Sequence, residues 1–451
     1  SREYNPVAFI DDSSEIISHS INGLKAFSPD DLQVLIDKND VKEVLIAIPS
    51  LNRARRHEII NFLESYPVLV RSLPGVSELA QGKVKVNDLL NIDLRDLLGR
   101  ESINPNKELF KKNISNKVVM VTGAGGSIGS ELCRQIILLK PRVLVLYEVS
   151  ESSLYKIDQE LKDNNKFNIE VCPLLGSITD KDRALKICEF FGVQTIYHAA
   201  AYKHVPLVEY NPFQGVYNNT IGTMLLAEVA IAANVENFVL ISTDKAVRPT
   251  NFMGASKRAA EMVLQALALL PHNTCFTMVR FGNVLDSSGS VIPLFKKQIK
   301  QGGPITVTHQ DIVRYFMMIP EAVELVIQAG AMAKGGEVFV LDMGKPVRIY
   351  DLAVKMIKLS GLEVLDESNP EGDIEIKYTG LRPGEKLYEE LLIDGEFSST
   401  ENKLIMRSKE KMMPWDELKP ILYEIYKNGK LKDTEELNSL IKKIVPEFKI
   451  N

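Results

Sequence analysis

Cysteine is scarce: four in 451 residues (Cys133, Cys172, Cys188, Cys275), with no C-x-x-C pair among them. That argues against a disulfide framework or a thiolate zinc site and fits a reducing compartment. Charge of one sign is also missing, since 54 Lys and Arg stand against 59 Asp and Glu and no long basic block interrupts them. Nucleic acid is therefore not an expected partner. No apolar run approaches the length needed to cross a bilayer, no signal peptide is visible, and no repeat or low-complexity stretch occurs. The balance that remains, 45% hydrophobic and 25% charged, is that of a soluble globular chain, long enough for two or more domains. The sequence opens at Ser1 without methionine and reaches a strand-like run, Val7–Ile10, almost at once, so a segment lost upstream is expected.

Four zones follow. Residues 1–103 alternate short apolar strands with amphipathic helices: Val7–Ile10, a helix through Leu32–Ile36, a strand Glu43–Ile48, a helix Arg55–Leu63 and a strand Val68–Val70. That alternation predicts a small N-terminal α/β domain with a parallel sheet, and no glycine-rich loop assigns it a cofactor. A polar stretch beginning at Asn104 separates it from residues 114–283. There Val118–Thr122, Val143–Tyr147, Ile169–Pro173, Thr195–His198, Phe238–Ser242 and Thr277–Phe281 read as buried strands with helices between. The pattern predicts a doubly wound parallel sheet, the dinucleotide-binding fold. Residues 284–400 read as a smaller lobe for substrate, and 401–451, with the single tryptophan Trp415, as amphipathic helices.

The strand Val118–Thr122 runs into Gly123, Gly126 and Gly129, with Ser127 and Ile128 between the last two and a helix expected over Ser130–Leu139. Glycines there permit a tight turn and let the backbone approach a pyrophosphate held at the helix N-terminus. Glu148 lies nineteen residues past Gly129, where an acid accepts hydrogen bonds from the adenosine ribose and repels a 2′-phosphate, favouring NAD over NADP. A solvated acid at a strand end is the plainer alternative. Ser177 and Ile178 end the third strand, where adenine contacts are usual. Ala199 and Ala200 follow the fourth, where small residues suit either a cofactor or tight packing.

The fifth strand closes on Thr243-Asp244-Lys245: a hydroxyl, an acid and an amine at the edge where ligands bind such sheets, unless this is merely a polar turn. Downstream, Met253 and Lys257 are four apart and share a helix face. Taken alone they are an ordinary core residue and an ordinary surface lysine. His198 and His204 have no partnering cluster, so no metal is expected.

Together GAGGSIGSE (123–131), AAYKHVPLVE (200–209), STDKAVRP (242–249), VRFGNV (279–284) and GLRPGEK (380–386) resemble the UDP-N-acetylglucosamine 4,6-dehydratases of bacterial polysaccharide and glycoprotein synthesis. These are extended short-chain dehydrogenases, and the resemblance covers about residues 115–395. It implies NAD as cofactor, Thr243, Asp244, Lys245, Met253 and Lys257 as the catalytic set, and Lys257 also on the nicotinamide ribose. Lys203, His204, Asn283, Arg314, Arg382 and Glu385 are implied for UDP-N-acetylglucosamine, and Asn219 as a brace for the active-site helix. The superfamily's usual tyrosine is replaced here by Met253, which resembles the long, membrane-anchored subgroup that retains configuration at C5. Its members imply a tether to the cytoplasmic face of the bacterial inner membrane by segments absent from this chain, and a homo-oligomer. The expected base is Lys245, with its proton affinity lowered by Lys257 and desolvation. A C4 epimerase on the same fold and a non-catalytic dinucleotide sensor stay open as alternatives.

Overall fold

A computed structural model describes residues 5–48, 53–66, 68–72, 90–91, 106–285, 287–391, 397–408, 410–427 and 434–449. The chain forms two compact units: a larger one of Ser102–Ser290, Asp311–Arg348 and Gly380–Asn451, and a smaller one of Ser1–Glu101, Val291–Gln310 and Ile349–Thr379.

The larger unit is built on a nine-stranded sheet. In chain order its strands are β1 (Val118–Thr122), β2 (Val143–Glu148), β3 (Glu170–Leu175), β4 (Thr195–His198), β5 (Asn237–Ile241), β6 (Cys275–Arg280), β7 (Glu337–Leu341), β8 (Phe397–Ser399) and β9 (Ile405–Ser408). Every residue of β1, β2 and β4 is buried, the near-continuous apolar reading of a parallel strand covered on both faces. The order is β8-β9-β7-β6-β5-β4-β1-β2-β3. From β3 to β7 all neighbours are parallel, while β9 pairs antiparallel with β7 and β8 antiparallel with β9. The expected doubly wound sheet is present, extended beyond its six anticipated strands. At the opposite edge β3, among the described residues, pairs only with β2 and carries Pro173 in mid-strand.

Helices cover both faces. On one side α1 (Ser127–Leu138), α2 (Glu151–Asn164) and α6 (Ile319–Met332) share a core with Val119, Val121, Leu144 and Leu146. On the other, α3 (Lys181–Phe191), α4 (Gly222–Ala232) and α5 (Phe252–Leu267) pack on Val118, Met120, Val145 and Phe238. The C-terminal helices α7 (Trp415–Lys427) and α8 (Thr434–Ile444) join that second core through Trp415, Leu418, Leu422, Leu437 and Ile441.

All sixteen residues of α5 are buried, charged ones included. The cost of burying Arg258 and Glu261 is offset by a cluster of opposite charges: Arg258 lies 3.2 Å from Glu261, 3.0 Å from Glu410 and 3.3 Å from Glu447. Arg280, fully buried at the end of β6, pairs with Glu261 and Glu410.

In the smaller unit Glu43–Ile46 runs parallel to Leu69–Ser72, and Leu90–Asn91 pairs antiparallel with the latter. Phe9–Ile10 runs parallel to Leu24–Phe27, whose other neighbour, Ser20–Ile21, is antiparallel. The sheets here are therefore mixed, not the single parallel sheet expected: Ser20–Ile21 and Leu90–Asn91 each run antiparallel to a neighbour, the first through the turn at residues 22–23. The core of Leu32, Ile46, Ile60, Leu63 and Val70 takes in Leu359 from the helix Ile349–Leu359. Val291–Gln310 and Ile349–Thr379 thus belong to this unit in space, whereas along the chain they fall within the 284–400 lobe.

Candidate functional site

The glycine turn leaves β1 at its carboxyl end. Gly123 has φ of +63°, and a Cβ there would lie 2.7 Å from the Ala200 backbone. A Cβ on Gly129 would lie 1.9 Å from the Gly123 carbonyl oxygen, so the helix cannot approach the turn this closely with any larger residue. The helix α1 begins at Ser127, three residues before the expected start, because Gly126 is already its N-cap and has no side chain to occupy the first N–H groups. Those of Ser127, Ile128 and Gly129 have no intrahelical acceptor and suit a phosphate. Glu148, 8% exposed, accepts from Gly125 N at 3.0 Å and from Val149 N and Ser150 N at 2.9 Å, tying the turn to the end of β2. Ala199 N donates to Thr122 O, and the Ser177 carbonyl accepts from Tyr147 Oη at 2.9 Å. Ile178 is buried against Gly222.

Beyond β5, Ser242 Oγ donates to Glu261 at 2.6 Å, anchoring the next residues to α5. Thr243 caps a short turn over Asp244–Ala246, accepting from Lys245 N and donating to Asp244 Oδ1 at 2.9 Å. Lys245 Nζ lies 2.9 Å from the same oxygen and 3.1 Å from Asn283 Oδ1. Asp244 is fully buried, and its Oδ2 has no partner among the described residues. Burial works against the charge on Lys245, but the carboxylates of Asp244 and Glu389 outweigh it and the proton affinity is raised. The expectation of a lysine lowered by Lys257 and desolvation is thus corrected: an acid is bonded directly to the amine.

Met253 and Lys257 both lie buried on α5, and burial pushes Lys257 down to about 8 against the pull of Glu261. His198 is sealed between Thr122 Oγ1 at 2.7 Å and Thr223 Oγ1 at 3.0 Å. Burial, with Lys257 nearby, lowers it to about 3, which makes it a packed neutral histidine. Asn219, in the π-turn Tyr217–Ile221, bonds Tyr202 O, Tyr202 N and Ser256 Oγ, bracing α5 against the segment after β4.

The segment from Gly380 is fastened onto the start of α5: Thr250 Oγ1 and Asn251 Nδ2 both donate to Gly384 O at 2.9 Å, and Lys386 Nζ donates to Val247 O. Arg382 N donates to Glu385 Oε2, and Arg314 reaches Glu385 Oε1 at 3.4 Å. Arg382 is exposed, leaving its guanidinium open to an anionic ligand. Among the described residues no group of three or more His, Cys, Asp or Glu is arranged to hold a metal.

A family described as polysaccharide biosynthesis protein matches residues 119–410. The chain belongs to that family. The capsular polysaccharide biosynthesis protein CapD of Staphylococcus aureus is 49% identical over 367 residues, which are 81% of this chain and 60% of CapD. The chain therefore spans about three-fifths of the length of this curated relative. The solved structure of Pen from Bacillus thuringiensis is 37% identical, covers 62% of this chain and 85% of its own, and has a TM-score of 0.55. DesIV, a dTDP-glucose 4,6-dehydratase from Streptomyces venezuelae with NAD and TYD bound, shares the fold at 21% identity and a TM-score of 0.51, over 61% of this chain and 88% of that one.

The chain brings Thr243, Asp244, Lys245 and Asn283 into one hydrogen-bonded set, and Arg314, Arg382 and Glu385 into another. Lys203 and His204 stand apart at the surface, the His204 ring against Gly289, and neither bonds to the Asp244 set among the described residues. Two residues escape a sequence reading. Gly125 packs so closely that a Cβ would lie 2.4 Å from Ser153 Cβ, and its signal was the extra glycine in GAGG. Glu389 is buried beside Arg314, with nothing in the sequence to set it apart from Glu390.

Proposed function

We propose that this chain is an NAD-dependent hydro-lyase that converts UDP-N-acetylglucosamine into the UDP-linked 4-keto-6-deoxy N-acetyl sugar, with retention at C5. The observation that carries the reading is the Asp244–Lys245 pair at the carboxyl end of β5, its acid buried and its amine half-buried, with Met253 where an alcohol-deprotonating tyrosine would stand. The glycine cradle fits a dinucleotide: a Cβ would fill it at Gly123 and Gly129, and the first N–H groups of α1 face no side-chain cap. Glu148 would take the adenosine ribose. When bound, NAD would remove a hydride from sugar C4 and return it to C6.

The remaining work falls to the chain's own side chains. Thr243 would hold O4 as the ketone forms, its hydroxyl relaying the O4 proton to the Asp244 carboxylate 2.9 Å away, and Lys257 would hold the nicotinamide ribose. The ketone acidifies C5–H. That bond breaks, its proton forms a new N–H bond on the neutral Lys245 amine, and the electron pair makes C5=C6 while the C6 hydroxyl departs as water with the proton of Asp244. The pair is then ammonium and carboxylate, and as C6 is reduced the ammonium returns a proton to C5, which leaves amine and carboxylate as at the start. Arg314, Arg382 and Glu385 would orient the UDP diphosphate, for which a planar guanidinium fork is suited.

Incubation with UDP-N-acetylglucosamine followed by mass spectrometry tests the reading. Loss of one water supports it; unchanged mass with altered stereochemistry means an epimerase, and no change means a binding module. Turnover in deuterated water should place one deuterium at C5 and none at C6. The same reading puts the full-length protein at the inner face of a bacterial membrane, which fractionation of that product checks.

A further inference from the structure

The loop that follows the catalytic turn makes a contact for which the reaction above has no use. Asn251 is 4% exposed and caps α5, and its one amide faces two ways. Oδ1 accepts from Gly254 N at 2.8 Å, and Nδ2 donates to Gly384 O at 2.9 Å. These two partners fix the orientation of the amide, since the helix offers a donor and the loop an acceptor. Thr250 Oγ1 gives the same carbonyl a second hydrogen bond at 2.9 Å. Gly384 sits tight against them: its φ is +74°, and a Cβ there would lie 2.6 Å from Asn251 Cβ. It is also the first buried residue after the exposed run 380–383, so the run that carries Arg382 meets the core at this point. Helix capping alone does not call for asparagine. Aspartate caps as well, but its carboxylate has no hydrogen to give Gly384.

We propose that Asn251, seconded by Thr250, is a positioning residue that couples the nucleotide-sugar site to the coenzyme site. The inference rests on the reading above, with the UDP diphosphate on Arg382 and the nicotinamide ribose on Lys257. The turn at Arg382 is closed by Glu385, whose carboxylate accepts from Arg382 N at 3.1 Å. A diphosphate seated on Arg382 therefore orders a loop whose anchored end is Gly384. The Gly384 carbonyl holds Asn251, and Asn251 holds the first turn of α5, where Met253 stands, with Lys257 one turn further on. Lys386 Nζ, on Val247 O at 2.9 Å, ties the same segment to the end of the catalytic turn. Each ligand orders what the other needs ordered. Each then binds more tightly when the other is present, by the same factor in both directions. The coenzyme is thereby held hardest while a sugar nucleotide is in place.

The holoenzyme tests this without turnover. UDP, which has no sugar to react, is titrated by calorimetry for its affinity, and the rate at which bound NAD leaves on dilution is followed with and without saturating UDP. In the wild type UDP should slow the loss of NAD about tenfold. Asn251→Asp keeps the cap and removes the donor. UDP should still bind that variant, but the slowing should fall to about twofold or less. Thr250→Ala leaves the cap untouched and should give a factor between the two. A residue that served only as a helix cap would let Asn251→Asp behave as wild type in both measurements, and that result overturns the proposal. So does a wild type that binds UDP without slowing the loss of NAD. If Asn251→Asp does not fold, a wild-type factor in Thr250→Ala overturns it instead. Failure of the nucleotide-sugar reading itself shows separately, as a wild type to which UDP does not bind.

Discussion

At the scale of single residues, the site is governed by what is buried with what. Glu148 spends both carboxylate oxygens on the backbone of the glycine turn and the end of β2, so it shapes the cradle as well as offering an acceptor. Glu148→Ala should weaken NAD at least tenfold, the size of a lost hydrogen bond to a charged group, and narrow the preference over NADP. Isothermal titration with both coenzymes checks it, and unchanged preference would remove Glu148 from the site. His198 gives a pH prediction. Its folded value, about 3, lies below the unfolded value, so its contribution to stability is complete above pH 6.5 and is lost as pH falls toward 3. Between pH 7.5 and 5.5 the wild type should lose about 1.4 kcal/mol that a His198→Gln variant does not lose, as read by urea unfolding at each pH.

At the scale of elements, the glycine turn and α1 act as one piece. A methyl group on Gly129 would meet a backbone carbonyl, which cannot move aside as a side chain can. Gly129→Ala should therefore cost about 3 kcal/mol, the upper end of overpacking penalties, and abolish NAD binding; chemical denaturation and a coenzyme titration measure the two effects. The central strands were legible in sequence because Val118–Thr122 and Val143–Glu148 are covered on both faces and so carry unbroken apolar runs. The start of α1 was not, since Ser127, Ile128 and Gly129 read as more of the glycine turn until the cap at Gly126 is seen. Nor were β8 and β9: short antiparallel additions, β8 wholly exposed, leave no periodic signature. The Thr243-Asp244-Lys245 run announces itself, but the sequence does not show that the Asp244 carboxylate bonds directly to the Lys245 amine and raises its proton affinity; the chain's turn after β5 does that.

At the scale of the whole molecule, the C-terminal segment completes the larger unit's core and the charge cluster behind the active site. Glu410 faces both Arg258 and Arg280, which are almost wholly shielded from water. Glu410→Ala would leave two buried guanidiniums sharing Glu261, with Glu447 the other acid on Arg258. Breaking such a cluster should cost about 3–5 kcal/mol, and because Glu261 and Ser242 are bonded, the loosening should reach Thr243. Thermal unfolding gives the first effect; a fall in kcat exceeding any change in KM gives the second.

Pro173 shapes how copies of the molecule can meet. A parallel sheet with an open edge offers a ladder of donors and acceptors to any stray strand, and continuous cross-molecule β-structure is the usual route to insoluble aggregate. Proline is tolerated in a strand where its missing N–H would have pointed away from the ladder, so on β3 it breaks the outward row in mid-strand. That edge is a poorer template for a tenth strand. At this edge, self-association is thereby turned away from backbone, which would accept any strand, toward side chains, where sequence sets the partner.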